Sequence, residues 1–93
     1  MNFVAVARVL DEAADLMEAD RTLDPDGAVR LAVWGDPETP YPGDNAPGAD
    51  EFNEASSAIE CKCGYQGNGI RDIPQRDAIA AARAEAARFR SCS

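Results

Sequence analysis

The chain has 93 residues, 17 of them acidic and 9 basic, for a formal charge of −8. Eighteen alanines inflate its 45% hydrophobic content and leave 16 Leu, Ile, Val and Phe residues, a count near the border at which chains fail to bury enough apolar surface to fold. Such a chain has room for one small domain over residues 1–93, and it has no run of roughly 18 apolar residues able to span a bilayer.

The start does not read as a secretory signal, because Arg8, Asp11, Glu12 and Asp15 interrupt the apolar residues. The predicted first element is instead an amphipathic helix over about residues 3–19. Phe3, Val6, Ala7, Leu10, Ala13, Ala14 and Met17 recur at helical spacing, and Arg8, Asp11, Glu12, Asp15 and Glu18 occupy the other side. Arg8 is spaced to pair with Asp11 or Glu12.

Asp24 and Pro25 form a helix-start signature, a cap followed by proline at the first helical position. The segment 28–34 after it is ambiguous. Val29, Leu31 and Val33 alternate as in a strand, while Val29, Ala32 and Val33 make a short helical face. A short helix is favoured, since no second strand is available to pair with it. Residues 35–48 carry four prolines and three glycines and read as a long acidic loop, either functional or mobile, with Tyr41 as its anchor. A second helix is expected over about 49–61, with Phe52 and Ile59 on one side. An alanine-rich helix is expected over about 74–90, with Asp77 near its start and Arg88 and Arg90 near its end. The predicted fold class is mainly α: a small three- to four-helix domain with a long Pro/Gly-rich acidic loop.

Charge is polarised along the chain. Residues 1–60 hold 14 acidic and 3 basic side chains, a charge of −11, and residues 61–93 hold 3 acidic and 6 basic ones, a charge of +3. The acidic part repels phosphate backbones, so nucleic acid is an improbable partner and a basic protein surface a suitable one. The basic excess either pairs internally or offers an Arg83, Arg88 and Arg90 face to DNA, which the remaining charge disfavours.

Three cysteines, Cys61, Cys63 and Cys92, point away from a disulfide scaffold and towards a reducing cytoplasm. They are also the candidate metal ligands. Structural zinc prefers CxxC pairs and four ligands, whereas here the spacing is CxC and histidine is absent. Zinc would therefore need a carboxylate or a second chain, as in a homodimer. The expectation is small thiols without a cofactor, with zinc and a redox or intersubunit disulfide as alternatives. The glycines at 64, 67 and 69 lack the GK[ST] ending of a phosphate-binding loop. Without histidine, and with no base evident beside Ser56 and Ser57, an enzyme is not expected.

Three segments carry a family resemblance. VLDEAADLME at 9–18 and IRDIPQRDAI at 70–79 are similar to the opening and closing helices of a family of short uncharacterised proteins of actinobacteria and their phages. Residues 23–34 are similar to a part of that family with a DPxAVR pattern before an apolar run. The resemblance covers about half the chain, lends no functional residues, and implies an accessory protein of phage or mobile-element type in the host cytoplasm. The functional expectation is a non-enzymatic protein that binds a basic host-protein surface, with a DNA-mimicking inhibitor as its sharpest version. Asp11, Glu12, Asp15 and Glu18 on the first helix, with Asp36, Glu38 and Asp44 in the loop, would supply charge. Trp34 and Tyr41 would be the anchors, as aromatics dominate interface energetics. The alternative is a small metal-binding module on Cys61, Cys63 and Cys92.

Overall fold

The computed structural model describes residues 2–65 and 69–92. Asn2 starts the first helix, α1 (Phe3–Ala19), by accepting the Ala5 N–H on its side chain at 3.1 Å. The helix ends where Asp20 turns extended and receives the Thr22 N–H and hydroxyl on Oδ1, at 2.9 and 2.6 Å. Those two hydrogen bonds, the hydroxyl's first, hold the Asp20 carboxyl below the usual carboxylate range.

This turn feeds α2 (Pro25–Trp34). Asp24 caps it by accepting the Gly27 N–H at 2.6 Å, Pro25 fills the first position, and Gly35 closes it with a left-handed φ of 80°. Strong signals at both ends thus make a helix of the segment whose period left strand and helix open. The third helix, α3 (Ala49–Cys63), runs two residues beyond its predicted end. Gly64 terminates it: the Gly64 N–H returns to Cys61 O and the Tyr65 N–H to Glu60 O, the Schellman pattern. The last helix, α4 (Gln75–Ser91), begins one residue after Pro74, which is the cap and not the first turn.

The fold is mainly α, with four helices among the described residues. The first helix packs most extensively on α4 and then on α2, while α3 closes against α4, α1 and α2. Ten of the twenty residues in the core cluster are alanine. Their small side chains let the helices approach closely, while Val6, Leu10, Met17, Val29 and Ile59 supply bulk. Ile70 and Ile73 in the α3–α4 connection, not anticipated as core, are both 2% exposed and plug it from that side. The Gln75 side-chain amide donates to Asp20 O and Leu23 O, both at 2.8 Å, and so ties the start of α4 to the α1–α2 turn. No helix among the described residues is long and apolar enough to cross a membrane.

Candidate protein-binding face

The acidic side of α1 meets α4. Asp11, Asp15 and Glu18 form a row at helical spacing, and Arg83 of α4 sits against all three. It is 2.8 Å from Asp15, 3.8 Å from Asp11, and in direct contact with Glu18. Arg90 reaches Asp11 at 2.5 Å. The hydrogen bonds from Asp15 and Glu18 raise the Arg83 pKa above its ordinary value, so this cation stays charged at every ordinary pH. Two of the six C-terminal cations, Arg83 and Arg90, are therefore spent on α1. The local pairing of Arg8 with Asp11 or Glu12 does not form, because Arg83 and Arg90 hold Asp11 instead. Glu12 is exposed and in no ion pair among the described residues. Arg88, the third arginine of the suggested DNA-binding face, is engaged by Glu85 through two bonds of 3.0 Å, which raise its pKa.

The loop after α2 is organised differently. Its contacts gather around three rings. Trp34, at the end of α2, stacks on Phe52 of α3 at 5.1 Å between centroids, and Tyr41 lies 6.5 Å from Trp34 and 5.9 Å from Phe52. The Trp34 indole donates to Pro47 O at 2.9 Å. Gly48 sits so close to it that a Cβ there would lie 2.6 Å from Val33 and 2.8 Å from the indole nitrogen, in a backbone with φ of 87°. Arg30 lies 4.8 Å above the Phe52 ring, donates to Asp26 at 2.8 Å, and reaches Thr39 O at 2.6 Å. The Tyr41 hydroxyl donates to Asp44 at 2.5 Å and accepts from Asn53 at 2.9 Å. The bond to Asp44 is the main cause of a raised Tyr41 pKa, since a phenolate would face the Asp44 and Asp50 charges.

Between Arg30 and Lys62 the sequence holds seven carboxylates and no Lys or Arg. Among the described residues, Asp36, Glu38, Asp44, Asp50, Glu51 and Glu54 make no ion pair. Asp36, Glu38, Asp44 and Asp50 are exposed. Asp36 accepts the Glu38 N–H on its side chain, shaping the first loop turn. Of the nine residues predicted to bind, the structure gathers Trp34, Asp36, Glu38, Tyr41 and Asp44 around one loop. It sets Asp11, Asp15 and Glu18 apart, against α4. Sequence reasoning missed Phe52, Arg30 and Asn53 as supports of the loop, and Asp50 and Glu51 as its continuation into the first turn of α3. The only signal was the unbroken absence of basic residues from 31 to 61.

No family model, curated protein or solved structure matches the chain.

The cysteines are dispersed. Because α3 continues to Cys63, Cys61 and Cys63 are two residues apart on a helix and do not share a side. Cys61 and Cys92 are exposed. Cys63 is half-buried, donates to Asp77 O at 3.7 Å, and has its thiol pKa pushed up, chiefly by burial. Among the described residues no group of three or more His, Cys, Asp or Glu is placed to hold a metal ion. In the glycine-rich turn, residues 66–68, including Gly67, lie outside the described residues. The Gly69 N–H donates to Glu60 at 2.8 Å. The Ser56 hydroxyl is buried with no hydrogen-bond partner among the described residues.

Proposed function

We propose that this chain is a non-catalytic binding protein that docks on a basic surface of another protein through the loop 36–44 and the first turn of α3. The observation that supports the reading is the set of six carboxylates without an ion pair among the described residues, four of them exposed, beside a pinned aromatic cluster. A pinned loop loses little conformational freedom on binding, so more of the interaction reaches the observed affinity. Unpaired charge also steers encounter with a basic partner and makes it salt-sensitive. Within this proposal, the α1 carboxylates stabilise the fold and Glu12 is the only one of the four that contributes to the surface. A DNA-mimicking inhibitor in a phage or mobile-element context is the sharpest version, and its support is the family resemblance together with the charge.

The test is capture of partners from lysate by immobilised protein at rising salt, with wild type and a D36N/E38Q/D44N variant side by side. The proposal expects bands that weaken with salt and vanish with the variant. Retention of the same bands by the variant, or capture indifferent to salt, contradicts it.

A further inference from the structure

Beside the loop, on the Pro37 and Pro40 side of Tyr41, lies a groove of about 340 Å³. That is within the lower part of the range of small-molecule sites, about 300–1,000 Å³. Two guanidinium groups border it, Arg30 from α2 and Arg71 from the α3–α4 connection. This is unexpected beside a segment that contains no cation of its own.

Arg30 is held on three sides. Its Nε–H binds Asp26, one Nη1–H binds Thr39 O, and its plane lies over Phe52, leaving the side chain 18% exposed. A guanidinium has five N–H groups, so three remain without a hydrogen bond to the described residues. Arg71 is 73% exposed, and the ion pair it forms is a 3.7 Å contact with the same Asp26 oxygen that Arg30 already occupies at 2.8 Å. One carboxylate thus serves two cations, one largely buried at the base of the groove and one exposed at its rim. Between them the lining is mixed, with Pro37, Pro40 and the Tyr41 ring offering apolar carbon beside Thr39. Glu38 also lines the groove, and with Asp26 it disfavours a ligand carrying two negative charges.

We propose that this groove binds a small monocarboxylate with a flat apolar body. The carboxylate meets the Arg30 and Arg71 forks, and the body lies against Pro37, Pro40 and Tyr41. Planar bidentate geometry suits a carboxylate on guanidinium. The site shares the loop with the protein-binding reading but draws on the cations of this region and not on its acids.

The experiment titrates full-length protein with benzoate, following the backbone amide NMR signals of Thr39 and Tyr41. Benzamide serves as the uncharged isostere and inorganic phosphate as the charge without a body. The expected result is saturable benzoate shifts at those amides, with benzamide and phosphate at least about tenfold weaker. Arg71→Ala alters an exposed side chain, leaves the fold intact, and weakens benzoate about tenfold; Arg30→Lys, which keeps the charge but not the fork, also weakens it. Absence of saturable benzoate shifts, benzamide as tight as benzoate, phosphate as tight or tighter, or an Arg71→Ala variant that binds as wild type would each overturn the proposal.

Discussion

Two regions of this molecule are acidic in sequence and differ in what their charge is available to do. On α1, Asp11, Asp15 and Glu18 stand in a row that α4 neutralises with Arg83 and Arg90, across about 70 residues of chain. In the loop and the first two turns of α3, six carboxylates make no ion pair among the described residues, while Arg30 is turned inward onto Phe52, Asp26 and Thr39 and Arg71 pairs with Asp26. Charge counted along a chain is therefore a poor guide to charge presented to a partner. The decisive quantity is how much of it the fold consumes.

The comparison is broken most severely at Phe52, which is 8% exposed and carries both the loop rings and part of the core. Phe52→Ala is expected to cost about 3–5 kcal/mol in denaturant unfolding, enough to leave so small a domain marginal. Gly48→Ala comes next. It forces a β-carbon into Val33 and the Trp34 indole at a positive φ, and is expected to cost about 1–3 kcal/mol. Trp34 is the only tryptophan, so its emission reports the displacement directly. Arg83→Ala removes the cation of the α1 row and is expected to cost about 1 kcal/mol at low salt and less at high salt, by thermal or denaturant unfolding. The same variant frees Asp15 and Glu18, so α1 should begin to respond to basic peptides that ignore it in the wild type. The smallest effect concerns Tyr41. Its neutral form is the one bound to Asp44, and its pKa is raised above 10.0, so the pin is complete below pH 10 and is lost as pH climbs through the raised value. Ultraviolet titration should show a phenol ionising later than an ordinary tyrosine, and Tyr41→Phe should remove it.

Much of the scaffold was legible because it is written locally. The stripe from Phe3 to Met17, the Asp24-Pro25 start and the glycine at 35 are short-range signals, and the structure uses each of them. The segment 28–34 was ambiguous because so few residues of alternating β-branched character fit two periods, and only the caps at its ends resolve it. The end of α3 was readable in principle, since Gly64 is a suitable cap, but Cys61 and Cys63 drew attention to a ligand spacing that a helix separates. The candidate face was harder. Trp34, Asp36, Glu38, Tyr41 and Asp44 lie close in sequence and stay together, whereas the supports Phe52 and Asn53 come from the next helix. The pairing of Arg83 with Asp15 joins residues 68 apart, and no period within one sequence reveals such a contact.

The acidic surface left open to a partner is the loop with the start of α3, and not α1. Mapping of backbone amide NMR shifts with a lysine-rich peptide at low salt tests this most directly. Shifts are expected to concentrate at residues 36–54 and to be suppressed by added salt, with residues 11–18 nearly silent. Shifts centred on residues 11–18, or spread evenly over both regions, would contradict it.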